Sequence, residues 1–135
     1  MDLIDDHYCF ACGKDNPDGL RLDWKVEGLI TTTQFIPPRK YQGWKGILHG
    51  GIVATLLDEA MTRLAGIISG GALTAEMTVR YVTPAPIGEV LFVRGEIVNQ
   101  LRRLVEMKAS IHLGEPTGPL IAHSTGKAIK TSKNQ

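Results

Sequence analysis

Leu48-His49-Gly50-Gly51-Ile52-Val53-Ala54-Thr55-Leu56-Leu57-Asp58-Glu59-Ala60-Met61-Thr62-Arg63-Leu64-Ala65-Gly66 is the one stretch of this 135-residue chain whose apolar residues recur with a helical period. At about 100° per residue, Val53, Leu56, Leu57, Ala60, Leu64 and Ile67 fill one broad arc. Ala54, Thr55, Asp58, Thr62 and Ala65 fall on the other side. The run is too long for a strand and reads as an amphipathic helix of four or five turns, stopped by Ser69-Gly70-Gly71.

Two features of this helix are chemical. Gly50-Gly51 stands in its first turn, where backbone N–H groups lack intrahelical partners and the helix dipole is positive. Without side chains, both glycines admit a ligand oxygen to those donors, which suits a carbonyl or a developing oxyanion. Asp58 lies at the edge of the apolar arc beside Met61, between the small residues Ala54 and Ala65, as a candidate base. Eight residues of helix separate Gly50 from Asp58, roughly 12 Å at about 1.5 Å per residue. One small reacting group therefore cannot touch both within a single chain. Two antiparallel copies about a two-fold axis would bring Gly50 of one to Asp58 of the other, so the expected site is composite, at a homodimer interface.

The rest of the chain supplies strands. Residues 20–27 alternate, with Leu20, Leu22, Trp24 and Val26 on one face, and read as a half-buried strand. Gly28 turns it into a second strand over 29–36, ended by Pro37-Pro38. Residues 39–48 form a loop into the helix, in which Gln42 and Trp44 are placed to bind. After the helix, Leu73, Ala75, Met77, Val79 and Tyr81 alternate with Thr74, Glu76, Thr78 and Arg80. Strands over 89–100, 104–113 and 120–130 follow; in the last, Ala122, Ser124, Gly126 and Ala128 give one face of small residues suited to close helix packing. The order is ββαββββ, an α+β arrangement of about six antiparallel strands around one long central helix. Residues 1–19 are an irregular lead-in, the polar tail 131–135 is expected to fray, and 1–135 reads as a single domain.

Composition narrows the function classes. A net charge of +1 argues against nucleic acid or membrane partners, and the acidic start Met1-Asp2-Leu3-Ile4-Asp5-Asp6 does not open a signal peptide. A cytoplasmic location is expected. Cys9 and Cys12 form one C-x-x-C, half of a zinc site or a redox pair. No second C-x-x-C or H-x₃₋₅-H completes it, so the reading is reduced cysteines under the lead-in, with no metal and no cofactor, and the competing reading is a zinc shared across subunits. Glu59 reads as an i,i+4 surface partner of Arg63, and His112 and His123 as solvated imidazoles.

His49-Gly50-Gly51 with Asp58 nine residues after the histidine, in this strand order, resembles the hotdog-fold acyl-CoA thioesterases of the phenylacetic-acid-degradation type. The order of elements matches over residues 20–130. The lead-in C-x-x-C-G-x-x-N-P-x-G-L resembles the openings of some of their members. The resemblance implies a hotdog fold and hydrolysis of an acyl-CoA thioester to free acid and CoA, in a homodimer that associates to a tetramer. It makes Gly50 the N–H donor to the thioester carbonyl. Asp58 of the opposite subunit becomes the base on water or the nucleophile, Thr74 its assistant, and His49 a positioning residue. Many members carry Asn or Gln six residues before the histidine; Gly43 stands there, and Gln42 is the substitute, with Gly51 beside it in binding substrate. The competing readings are a non-catalytic acyl-CoA-binding module and a hotdog acyl-thioester dehydratase or hydratase.

Overall fold

A computed structural model describes residues 2–131, so all of the tail but Thr131 lies outside the described residues. The elements are β1 (Lys25–Glu27), β2 (Ile30–Phe35), a 3₁₀ turn at Arg39–Tyr41, α1 (Gly50–Ser69), β3 (Ala72–Tyr81), β4 (Leu91–Gln100), β5 (Leu104–Leu113) and β6 (Leu120–Lys130). The order is the expected ββαββββ. All pairings are antiparallel, and the six strands lie in the order β1-β2-β4-β5-β6-β3. The connection through α1 thus carries the chain from β2 to the far edge of the sheet.

The helical period has its physical counterpart in burial. Val53, Leu56, Leu57, Ala60, Met61, Leu64 and Ala65 are all buried. They meet Leu91, Val93 and Ile97 of β4, Val105, Met107, Ala109 and Ile111 of β5, and Ile121, Ala122 and Ala128 of β6. Each fully buried leucine of α1 contributes roughly 1.5–3 kcal/mol of transfer free energy. The buried arc sits one step from the expected one. Ala65, read as outward, is buried, and Ile67, read as inward, is 56% exposed, while Ile68 takes its place against the core. The helix ends at Gly70, whose φ of 78° is the left-handed conformation that glycine adopts without a Cβ penalty.

Close approach of helix and sheet depends on small residues. A Cβ on Gly95 would fall onto the Ala60 carbonyl, and one on Gly126 would press Met61 Cε at 3.0 Å. The small face of β6 thus receives Met61, whose sulfur accepts from Ser124 Oγ at 3.5 Å. In β2, Thr31 and Thr33 are buried, and their hydroxyls donate to the Lys25 and Asp23 carbonyls at 3.3 and 2.5 Å.

The expected strand over 20–27 is corrected: only Lys25–Glu27 is strand. Leu20 and Leu22 are buried as read, but their N–H groups donate to the Phe10 and Ala11 carbonyls at 2.9 Å. The lead-in, not β2, takes up that backbone.

A second correction concerns β3. Its register against β6 shifts between Thr74 and Glu76, a bulge of one residue. Thr74 lies opposite Ala128 and Tyr81 opposite Ala122, both fully buried positions facing α1. Alternation alone puts Thr74 and Tyr81 on opposite faces; the bulge puts both on the helix side.

Candidate active site

The loop before α1 is braced before it reaches the helix. Gly43 N donates to Ile47 O at 2.8 Å, Leu48 N to Ala85 O at 2.8 Å and His49 N to Tyr41 O at 2.9 Å. His49 then caps α1, its backbone extended at φ −58° and ψ 135° and its Nδ1 accepting from Gly51 N at 2.8 Å. The His49 carbonyl takes the N–H groups of Ile52 and Val53. Gly50 N–H is left as the amide of this turn without a partner among the described residues. The Gly50 carbonyl accepts the Tyr81 hydroxyl at 2.8 Å, tying the helix start to the end of β3.

Gly50 opens onto a cleft of about 750 Å³, lined among others by Trp44, Leu48, Val53, Tyr81, Pro84 and Ile121. The walls are mostly apolar, so few polar groups compete with a donor fixed among them. Such a donor stabilises developing negative charge far better than one in open water. Gln42 stands elsewhere: its Oε1 accepts from Gly46 N at 2.9 Å, and it lines a second cleft with His49, Gly51 and Ile52. Gly43, not Gln42, borders the larger cleft.

Asp58 lies two turns further along α1, half-buried, and its Oδ1 accepts the Thr74 hydroxyl at 2.6 Å. The structure therefore joins Asp58 to Thr74 and His49 to Gly51, and parts these two groups within one chain. Neither Asp58 nor Thr74 borders the cleft that Gly50 opens onto. Tyr81, which the alternation marks only as a strand residue, is the one that sequence reasoning missed. Its aromatic ring at the strand end, just before the Pro84-Ala85-Pro86 break, is the available signal.

The neighbouring Glu59 does not pair with Arg63 at the surface as expected. It is half-buried beside the lead-in, while Arg63 Nη1 donates to Cys12 Sγ at 3.6 Å. Burial pushes the Glu59 carboxyl up from its ordinary range, against the lowering effect of the Cys12 hydrogen bond and the Arg63 charge. Burial and then the Glu59 carboxylate push the Cys12 thiol up to about 12. Both cysteines are free, Cys9 exposed and Cys12 half-buried. Among the described residues no helix is long and apolar enough to cross a membrane.

Comparisons with known proteins meet this geometry. The chain is 38% identical to mouse acyl-coenzyme A thioesterase 13 over 80 residues, 57% of this chain and 56% of that protein. It spans about half or less of the length of the curated relatives it matches. Among solved structures it superimposes on zebrafish thioesterase superfamily member 2 with a TM-score of 0.77 at 21% identity, covering 89% of this chain and 90% of that one. It superimposes on the PaaI protein of the E. coli phenylacetic acid degradation operon with a TM-score of 0.75 at 17% identity, covering 84% and 81%. The sequence model described as the thioesterase superfamily matches residues 45–119, from the loop before α1 through the end of β5. More than half of the chain, including His49, Gly50, Asp58 and Thr74, lies inside that match, and its one helix packs on a six-stranded antiparallel hotdog sheet: the chain belongs to the thioesterase superfamily.

Proposed function

We propose that two copies of this chain hydrolyse an acyl-CoA thioester to free acid and CoA, each lending half of the reaction centre. One observation carries the reading: the unpaired Gly50 amide and the Thr74-supported Asp58 carboxylate stand at opposite ends of one edge strand, at equal distances from its middle. Tyr81 touches Gly50 and Thr74 touches Asp58. Their partners on β6, Ala122 and Ala128, lie three positions either side of Thr125, which pairs with Thr78. β3 ends the sheet, and a ten-residue edge strand is a template for another strand. If a second β3 adds antiparallel about an axis through Thr78, Thr74 comes opposite the partner's Tyr81 on the helix-facing side. Asp58 of one copy then approaches Gly50 of the other.

The chemistry follows from that juxtaposition. The Gly50 N–H polarises the thioester carbonyl and stabilises the oxyanion of the tetrahedral intermediate. Asp58 takes a proton from water as it attacks the carbonyl, and the tetrahedral intermediate expels the CoA thiolate, which takes up that proton. In the alternative Asp58 itself attacks the carbonyl, the CoA thiolate leaves, and water then hydrolyses the resulting mixed anhydride to free acid and Asp58. Thr74 holds the carboxylate, His49 holds the turn that presents Gly50, and the apolar cleft receives the acyl chain. Gln42 keeps its side-chain amide N–H groups for a second contact to substrate, and Gly51 borders the same cleft.

Known proteins lend support. A Streptococcus mutans structural neighbour was solved with acetyl-CoA bound. A hypothetical thioesterase of Streptococcus pneumoniae was solved with an aspartate and, separately, a threonine sixteen positions later replaced by alanine, and sixteen positions separate Asp58 from Thr74. The test is incubation with aromatic, short-chain and medium-chain acyl-CoAs while free thiol is followed. CoA release is expected from at least one, falling by about 100- to 10,000-fold in Asp58→Asn with the dimer intact. Absence of CoA release from the whole panel, or unchanged turnover in that variant, ends the reading.

A further inference from the structure

Cys9, Cys12 and Glu59 come from two distant parts of the chain, yet one ligand atom of each lies within 4.8 Å of the other two. No other trio of His, Cys, Asp and Glu side chains comes as close among the described residues. Zinc–sulfur bonds of about 2.3 Å and zinc–oxygen bonds of about 2.0–2.2 Å set tetrahedral donor atoms roughly 3.5–3.8 Å apart. The cluster thus needs to tighten by about 1.3 Å at most, within reach of side-chain rotation.

The backbone around the two sulfurs has the form that holds thiolates. Gly13 N donates to Cys9 O at 2.9 Å, closing the C-x-x-C-G turn, and Ala11 N donates to Cys9 Sγ at 3.3 Å. A Cβ on Gly13 would fall onto the backbone of Tyr8 and Cys9, so the turn closes only with glycine there. Arg63 Nη1 reaches Cys12 Sγ at 3.6 Å. Two thiolates and a carboxylate carry three negative charges; one divalent ion and the Arg63 guanidinium balance them. Thiolate donors with one carboxylate suit Zn²⁺ rather than the harder Mg²⁺ or Ca²⁺.

We propose that Cys9, Cys12 and Glu59 bind one zinc ion that clips the lead-in onto the middle of α1, with water in the fourth position on the exposed Cys9 side. A redox disulfide would use both sulfurs and leave the carboxylate beside them without a role. The clip closes the long loop between Cys12 and Glu59, where a cross-link removes most freedom from the unfolded chain. It stabilises the lead-in against α1, where Arg63 already meets Cys12 and where Ala11 is buried in the common core. The proposal is independent of the thioesterase reading, since none of its three ligands borders the Gly50 cleft.

The test uses the full chain, reduced and stripped of metal by a chelator. Titration with Zn²⁺ should give one ion per chain, raise Tm, and protect both cysteines from a thiol reagent. Titration with Co²⁺ should produce an intense thiolate-to-cobalt charge-transfer band. Cys12→Ser should weaken zinc binding more than about 100-fold, and Glu59→Gln roughly 10- to 100-fold while keeping the thiolate band. The proposal is overturned if the reduced chain takes up no zinc, if Cys12→Ser and Glu59→Gln bind it as tightly as the parent, or if the cysteines form a disulfide with Zn²⁺ present.

Discussion

Thr74 and Asp58 are joined by a 2.6 Å hydrogen bond that exists because β3 carries one extra residue between Thr74 and Glu76. Without the bulge, Thr74 would face away from α1 with Thr78 and Arg80. The bond is charge-assisted, of a kind worth about 1.5–3 kcal/mol. Thr74→Val keeps the shape and removes the donor. It should lower kcat by roughly 10- to 100-fold with a small change in KM, while Thr74→Ser retains most activity. Steady-state kinetics of both variants decide the matter, and equal rates in Thr74→Val and the parent would remove Thr74 from the site.

The Gly50 amide can be deleted without deleting the helix. Proline is favoured at the first helical position, where its missing N–H has no intrahelical partner. The residue before it must be extended, and His49 already is, with ψ at 135°. Gly50→Pro should therefore fold and cut kcat by about 100- to 1,000-fold, the loss typical for one oxyanion donor. Gly50→Ala keeps the amide and sets its Cβ at ordinary contact distance, 3.5 Å, from the Tyr81 ring. It should stay within a few-fold of the parent on the same assay; a comparable loss in both would point to crowding of the cleft and away from the N–H.

The fold and the site are legible in different degrees, for physical reasons. The helix stands out because α1 is buried on one side only, so its period survives in the residue types. The face of β6 made of Ala122, Ser124, Gly126 and Ala128 announces a helix pressed against it. The β3 bulge leaves no mark, since no glycine or proline stands at 74–76 and a single inserted residue inverts the alternation beyond it. Family spacing brings Thr74 to Asp58, while strand alternation points the other way. Glu59 reads against Arg63 because the helix rule is local, and the residues that cover it lie far away in the lead-in. The same distance hides the pairing of Leu20 and Leu22 with Phe10 and Ala11.

Helix and sheet touch most closely at Gly95, where a Cβ would fall onto the Ala60 carbonyl. Gly95→Ala must move α1 or bend β4, an overpacking expected to cost about 1–3 kcal/mol. Thermal unfolding should show Tm lower by roughly 4–12 °C, and no loss would mean that the contact is relieved by a shift of α1.

On the outer face of β4 and β5, Glu96 lies 3.0 Å from Lys108 Nζ and 3.6 Å from Arg94 Nη2. The Lys108 hydrogen bond, helped by the Arg94 charge, holds its carboxyl below the ordinary 4.5. A depressed folded value stabilises the fold above the unfolded one, and that gain is lost as pH falls through the folded value. The group is exposed to solvent screening, so Glu96→Gln should cost only about 0.2–1 kcal/mol at neutral pH. Denaturant unfolding at pH 7 and again below the folded value should show that difference shrinking towards zero; a constant difference would assign it to packing.

The shared reaction centre makes its own demand on mixtures. Asp58→Asn lacks the carboxylate and Gly50→Pro lacks the amide, and each alone should be nearly inactive. In a dimer of one copy of each, the Asp58→Asn copy still offers the Gly50 amide and the Gly50→Pro copy still offers the Asp58 carboxylate. One of the two sites is then whole, and the other lacks both groups. Equal amounts exchanged to equilibrium form heterodimers as half of all dimers, so about one quarter of the parental activity should return. Thr78→Lys, which sets like charges across the axis through β3, should abolish that recovery and shift the chain to monomer in sedimentation. Mixing that restores nothing while the heterodimer demonstrably forms would mean that Gly50 and Asp58 of one chain serve the same substrate, which eight residues of helix between them forbid for a single thioester carbonyl.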